Sequence, residues 1–478
     1  MNDRLTSSSI SPWSVFWIVS TAVFLVSVDV TMLYAVFPAL RWAFPEASSA
    51  DLSWVMNAYT LVFAALLVPA GRLADQYGCK HMFLLGLIMF LIGSFGCGLA
   101  MHVATLIAMR AVQGAGAALL FPASLSILLA TFPANKRAIA VSAWGAVSGV
   151  AGALGPSLGS FLADRFSWPW AFFLNLPLGM IMLWRGWRLL NESRVSKRGE
   201  PIDVVGIALL LLGIGSITFG LVQSEAFGWM SQRVTLAIAG GLVTLGVFIV
   251  WARTVRAPAI DLSLFQDQTY CYINLASMCF AMSFAMMFFQ TFLFTTSVWS
   301  YSLTQAGLAG SLGPLLVVPI AIMSGRFATR AGHKLLLVTG SLISTAASIW
   351  FALVPSINAD YMHAWLPGTI LTGLGVGMVM PSLSAAAVTH LPSARFGVGS
   401  AVNQAIRQMG TVLGVALTVT ITGNAMLDLA EFHTLCYLQI ALGLATAILC
   451  VPVDTRPRVL APTPGHAAAA LILQWSTE

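Results

Sequence analysis

GRLADQYGCK occupies residues 71–80, and GRFATRAGHK occupies residues 325–334. Gly71, Arg72, Ala74, Gly78 and Lys80 of the first stretch recur as Gly325, Arg326, Ala328, Gly332 and Lys334 of the second, at an offset of 254. A second echo has nearly the same offset, 259: QGAG at 113–116 with Pro122 returns as TGLG at 372–375 with Pro381. Two echoes in the same order describe a chain of two related halves in parallel. Each decapeptide is a short charged turn between two long apolar runs, as expected of a loop joining two membrane helices. Transporters are often built from such repeats, with the substrate site between them.

Working outward, the whole chain has the same character. Of its 478 residues, 58% are apolar or aromatic and only 8% are charged, against about 25% charged in an ordinary soluble domain. Such a chain cannot cover a water-facing surface. The composition excludes a soluble enzyme, a disordered chain and a disulfide-stapled secreted domain. The net charge of +6 is not gathered into a basic domain, so no nucleic-acid partner is expected. Cys79, Cys97, Cys271, Cys279, Cys436 and Cys450 are scattered without ligand spacing. They are expected as small core residues, with neither disulfide nor metal.

About 20 apolar residues cross a bilayer as a helix. The apolar runs lie at roughly 14–37, 52–74, 83–101, 104–131, 138–163, 169–190, 203–222, 234–252, 270–296, 305–327, 335–354, 363–388, 397–421 and 433–453, which is fourteen. Basic residues favour the cytoplasmic side of a membrane protein. With the N-terminus in the cytoplasm, eighteen of the 23 Lys and Arg fall in cytoplasmic segments. Arg41, Arg165 and Arg233 fall opposite, and Arg110 and Arg407 lie inside spans. A missed or invented span would blur that bias. The echo skips the pair at 203–252, so spans 1–6 match spans 9–14. The expected fold is therefore an all-α membrane protein with two six-helix bundles plus two inserted helices, 14 transmembrane helices in all. Its parts are an N-terminal bundle (1–190), a cytoplasmic linker with the two extra helices (191–257), a C-terminal bundle (258–453) and a cytoplasmic tail (454–478). Both termini are expected in the cytoplasm.

Asp29 and Arg110 are the foremost site candidates, because an ionisable residue well inside a span is costly and marks function by default. Each lies about eight residues from the same membrane face, roughly 12 Å deep at 1.5 Å per residue, so the two could meet. Burial and a neighbouring guanidinium act on a carboxyl in opposite senses. A carboxyl held between them can take up a proton in one state and release it in another. The alternative is a fixed structural ion pair. Arg407, about ten residues into the thirteenth span, has no carboxylate at its depth. Either it meets an anionic substrate or it bonds backbone carbonyls at a broken helix. Further candidates for a substrate cavity are Tyr34, Trp54, Asn57, Tyr59, Asn274, Gln290 and Asn403, and the structural alternative for each is packing or the lipid belt.

Several stretches resemble the major facilitator superfamily, in its fourteen-spanner drug:proton antiporter branch (the EmrB/QacA type), over roughly 14–453. GRLADQYGCK is similar to that family's loop motif. Leu106 with Arg110–Gly116 (RAVQGAG) resembles its fourth-helix motif, and Gly149 with Gly155–Gly159 (GPSLG) resembles the fifth-helix motif of antiporters. Trp168–Gly179 (WPWAFFLNLPLG) and Ser27–Thr31 (SVDVT) resemble runs of the fourteen-spanner branch, as do Asp203–Gly206 and Leu262–Phe265. The chain departs from the pattern at Pro169, at Thr329, and within Met32–Phe37, where an Asn is usual.

The resemblance implies a proton-coupled exporter of small amphiphilic compounds, working by alternating access in an inner membrane. Asp29 would carry the proton, with Arg110 tuning it and Gln113 nearby. Gly71, Arg72, Asp75, Gly78 and Lys80 would form a latch between the halves. Gly149, Gly155, Pro156 and Gly159 would form the antiporter motif of helix 5. No cofactor is implied. The expected partners are a small-molecule substrate, protons and the lipid bilayer, with a periplasmic adaptor protein left open, and the expected working unit is a monomer. No phosphate-binding loop of the G-x-x-x-x-G-K-[ST] type occurs, so transport would draw on an ion gradient. Two alternatives compete. An uptake symporter would lack the helix 5 motif and usually has twelve spans. A polytopic membrane enzyme would need clustered His, Asp or Cys, whereas the seven histidines are spread one per region.

Overall fold

An apolar segment in lipid has to bond its own backbone, so helices carry almost all of the chain. A computed structural model describes residues 11–192, 202–391, 395–423, 427–453 and 455, with some positions in the helices, Gly149 among them, described by their backbone alone. The first half comprises α1 (Pro12–Ala43), α2 (Ser49–Tyr77), α3 (Cys79–Gly98), α4 (Val103–Thr131), α5 (Ala134–Arg165), α6 (Trp170–Phe173) and α7 (Asn175–Leu189). The pair α8 (Val204–Phe227) and α9 (Gln232–Thr254) follows. The second half comprises α10 (Gln268–Ser297), α11 (Leu303–Ala331), α12 (Lys334–Leu353), α13 (Leu366–Ala386), α14 (Phe396–Thr422) and α15 (Leu429–Cys450). Among the described residues, thirteen helices are long and apolar enough to cross a membrane. The remaining expected span, 169–190, is divided between α6 and α7. Pro177 has no N–H for the carbonyl of Phe173, and the helix is interrupted beside that missing bond.

The sequence echo has a physical counterpart at both ends of α2 and α11. Ser48 and Asp51 form a capping box at the start of α2, and Ser302 and Gln305 form one at the start of α11. Both pairs keep the offset of 254. Gly78 and Gly332 then end the two helices at φ of +110° and +77°, a conformation that side chains with a Cβ disfavour. The repeated glycine is a helix stop. Gly71, by contrast, sits inside α2, and a Cβ there would meet only ordinary contact, 3.7 Å from Pro122.

In the first half α4 packs on α2 and α3, and α1 packs on α5. In the second half α13 packs on α11 and α12, and α10 packs on α14 and α15. The halves meet along α2–α14, α5–α11 and α1–α10. The inserted α8 and α9 pack on each other, and α8 also touches α2 and α14. Asp203 ties this pair down. It caps α8 by accepting from the Gly206 N–H at 2.8 Å, and it accepts from the Trp251 indole of α9 at 2.8 Å and from the Ala259 N–H at 2.9 Å.

The seam differs between the two faces of the molecule. At the face where α1 ends, Val28–Leu40 of α1 and Ala285–Phe294 of α10 belong to one apolar cluster that spans both halves. Phe37 stands edge-on to Phe289 with ring centroids 4.5 Å apart, and Tyr34 lies against Phe288 and Phe289. Beside them Ser157 of α5 donates to the Gly307 carbonyl of α11, and Thr304 donates to Asp164 at 2.6 Å. At the face carrying 71–80, the first half closes its own apolar cluster (Val15–Val26, with α3 and α4). The second half closes another, which α2 enters through Ala65 and Val68. One apolar cluster thus spans the halves at the first face, whereas at the second each half carries its own cluster and α2 alone enters the other half's.

Replacing Asp203 with Ala takes the carboxylate acceptor from three donors, two of them buried and the Trp251 indole partly so. Unsatisfied buried groups cost about 1–3 kcal/mol each, so Asp203→Ala is expected to lower the thermal unfolding midpoint of the purified protein by several degrees. An unchanged midpoint would refute this role for Asp203.

Candidate functional site

Asp29 sits in the middle of α1 and Arg110 in the first third of α4, and the side chains of both are 1% exposed. The Arg110 guanidinium donates to Asp29 Oδ2 at 2.5 Å, to Gln113 Oε1 at 2.6 Å and to the Val55 carbonyl of α2 at 2.9 Å. Its face covers the Tyr59 ring, with Cζ 4.2 Å from the centroid. Asp29 Oδ1 accepts from Gln113 Nε2 at 2.8 Å and from Asn175 Nδ2 at 3.0 Å. Both amides also donate to Ser94 Oγ of α3. One charge-neutral polar cluster therefore joins α1, α2, α3, α4 and α7 inside an otherwise apolar bundle. Asn175 reaches it because the interruption at Leu174 starts α7 one residue later. The sequence reading missed Asn175 and Ser94. Asn175 carried a signal, a polar residue just before Pro177 in an apolar run.

A weaker image of this cluster lies in the second half. Gln290 of α10 donates to Gln439 of α15 at 3.4 Å, and Ser348 of α12 donates to the same Gln439 oxygen. Ser348 follows Ser94 at the offset of 254. The image is uncharged: an amide stands on α10 where α1 carries the carboxylate.

The remaining cavity candidates are dispersed. Tyr34 is buried in the aromatic seal. Asn403 of α14 donates to Asn274 Oδ1 at 3.1 Å and to Ser277 at 3.0 Å, and Asn274 donates to the Tyr270 carbonyl. Those two amides, expected at a cavity, instead bind α14 to α10 within one half, because a buried amide is stabilised by bonding to its neighbour helix. Gln290 is likewise buried inside the second half. Trp54 lines a groove of about 220 Å³ against Leu211, Leu212, Gly215, Ser216 and Phe219 of α8 and Ala237 of α9. It faces the inserted pair. Asn57 is fully buried, and neither its amide nitrogen nor its oxygen has a hydrogen-bond partner among the described residues. Arg407 is partly exposed. It donates to Ser384 of α13 at 3.2 Å and to Gln404, so its described bonds go to side chains, not to the carbonyls of a broken helix.

The loop stretch makes local bonds. Arg72 donates to the Ala257 carbonyl at 2.9 Å, on the segment leading into the second half, and Lys80 donates to the Trp187 carbonyl at 2.8 Å. Glu192 accepts from the Lys80 and His81 backbone N–H groups and pairs with the His81 ring. Its carboxylate fills the space beside Gly78 where a Cβ would stand. Asp75 is half-buried and pairs with neither Arg72 nor Lys80 in the described bonds. On α5, Gly155 and Gly159 lie so close to α1 that a Cβ would stand 3.0 Å from the Val28 carbonyl and 2.8 Å from the Met32 carbonyl, respectively. Pro156 and Ser160 face Gly307 of α11. The helix 5 run is thus wedged between α1 and the other half. Gly149 belongs to α5, and its surroundings lie outside the described residues.

These features have relatives. The Major Facilitator Superfamily matches residues 19–415, and the chain belongs to that family. The cephamycin export protein of Amycolatopsis lactamdurans is 31% identical over 94% of this chain and 93% of its own length. The multidrug export protein EmrB of Haemophilus influenzae is 28% identical over 84% of this chain and 78% of its own. Among solved structures, a peptide transporter bound to sulfate superposes with a TM-score of 0.66 at 16% identity, covering 92% of this chain and 94% of that one. The chain is a multi-pass membrane protein with this superfamily's fold, and its relatives include drug and antibiotic exporters.

Removing one member of a buried ion pair leaves an uncompensated charge and costs about 3–5 kcal/mol. Arg110→Leu is expected to destabilise the protein by that amount. Asp29→Leu with Arg110→Leu should cost less than the two single changes together, as read by denaturant unfolding in micelles. Additive losses would mean that the two side chains do not act as a pair.

Proposed function

We propose that this protein is a proton-driven exporter of small amphiphilic compounds, working by alternating access in a cell's inner membrane with both termini in the cytoplasm. The observation that carries the reading is the Asp29 carboxylate. It is the only acidic side chain deep within a span, and it is held by Arg110, Gln113 and Asn175. Intramembrane carboxylates of this kind serve as proton relays in transporters. Protonation would remove the charge that Arg110 pairs with. The bonds between α1 and its neighbours would weaken together, because one carboxylate accepts them all.

Asp29 is coupled to the seal through its own helix. Tyr34 and Phe37 stand five and eight residues further along α1, about 8 and 12 Å away at 1.5 Å per residue. A shift of α1 on proton uptake would therefore act on the rings it presses against α10. Lys and Arg placement supports an outer position for the face where α1 ends, and in this reading the arrangement, closed there by the aromatic cluster, is the inward-facing one. In this reading Asp75 and its neighbours hold the halves together at the face carrying 71–80 in the opposite state. The export direction is supported by the names of the relatives, among them a cephamycin exporter and a multidrug exporter. The working unit in this reading is a monomer, and a periplasmic adaptor is a partner to be sought by co-purification.

The test is transport in vesicles with an imposed pH gradient across a compound panel. The wild-type protein should drive compounds uphill, and Asp29→Asn should lose gradient-driven movement at least tenfold while still binding them. Wild-type transport indifferent to the gradient would overturn the antiport mechanism.

A further inference from the structure

Gln404, Arg407, Gln408 and Thr411 follow each other on α14 at spacings of three, one and three residues, and all four are partly exposed. Such spacing puts them on one stripe of the helix. To one side of the stripe, Gly410 and Gly414 press against the backbone of α10 at Met278 and Met282. To the other side, Val412 packs with Leu61 of α2. The opposite flank, with Val402 and Ile406, belongs to the second half's own core. The polar stripe is left between the flank on α10 and the flank on α2, on the side of α14 that turns toward the other half, and Arg407 donates from it to Ser384 of α13 in its own half.

Charge sets this stripe apart. Arg110 is neutralised by Asp29. Arg407 bonds only neutral oxygens and enters no ion pair among the described residues. A guanidinium has five N–H donors in a planar fork that fits a carboxylate with two parallel bonds. A cation inside a span without its counter-charge is costly, and a ligand that brings the charge removes that cost.

We propose that Arg407, flanked by Gln404, Gln408, Thr411 and Ser384, binds a carboxylate-type anionic group on the compound this protein carries. The substrate class is then amphiphilic acids. Cationic amphiphiles are disfavoured, because the only carboxylate at mid-depth is already engaged with Arg110. The proposal rests on the export reading for its cargo, but binding can be measured with no gradient present.

The experiment titrates the full-length protein in nanodiscs at pH 7.5, by tryptophan fluorescence, with three ligands of matched shape: 1-naphthaleneacetate, its neutral amide, and (1-naphthylmethyl)trimethylammonium. The acid should bind at least tenfold tighter than the amide, with the cation weakest, and added salt should narrow the gap. Arg407→Gln should bring the acid down to the level of the amide, and Arg407→Lys should retain an intermediate preference. If Arg407→Gln does not fold, Gln408→Glu, which sets a carboxylate beside the guanidinium, should abolish the preference in its place. Equal wild-type affinity for acid and amide, or a preference that survives Arg407→Gln, would overturn the proposal. Binding of none of the three would overturn it together with the export reading. An acid preference alongside transport that ignores the pH gradient would sink only proton coupling.

Discussion

An ion pair withdrawn from water is stable only when its remaining hydrogen-bonding positions are filled, because desolvation costs several kcal/mol per charge. At Asp29 and Arg110 those positions are filled from Gln113, Asn175 and the Val55 carbonyl, and Ser94 in turn accepts from both amides. The first half is therefore organised around a polar centre. Five helices contribute to it, and the interrupted span at 170–189 exists in a form that delivers Asn175 to it. Tyr59 completes the enclosure by laying its ring against the guanidinium. Any change in the charge of that centre is felt by every helix that touches it.

The second half repeats the scaffold without repeating the charge. Its capping serine, its positive-φ glycine and its buried serine stand at the same offset as those of the first half, as Ser302, Gly332 and Ser348. Gln290 and Gln439 then meet where the first half brings together a carboxylate and amides. The second half's one mid-span cation, Arg407, lies on the seam-facing side of α14, away from that amide pair. The two halves thus divide the polar work: a neutralised pair locked in one core, and a cation that bonds neutral partners among the described residues. The seal that joins the halves is apolar and aromatic. It rests on close approach of α5 to α1 and α11, which Gly155, Gly159 and Gly307 permit.

Much of the fold is legible in the sequence, because lipid punishes exposed backbone and misplaced charge. The apolar runs mark the helices to within a few residues, and the loop echo marks the repeat. The depths of Asp29 and Arg110 can be counted, since rise per residue is constant in a helix. Which way a side chain turns is less legible. Asn274 and Asn403 have the polarity expected of cavity residues, yet they bond each other, because two amides on neighbouring helices satisfy each other when the helices pack face to face. Trp54 turns to the inserted pair for the same kind of reason: the rotation of α2 is set by its contacts with α4 and α14.

The sequence by itself determined that this chain is an all-helical membrane protein in two related halves, with an acid and a base at matching depth in the first. Composition, charge placement and spacing along a helix axis are one-dimensional quantities, and a one-dimensional string carries them. Only the tertiary structure decided that Asn175 and Ser94 join that cluster, that one apolar cluster spans the halves at a single face, and that Arg407 is left with neutral partners among the described residues. Those outcomes depend on how each helix is rotated about its axis and tilted against its neighbours. That rotation is settled by the packing of many side chains together, and no single stretch of sequence contains it.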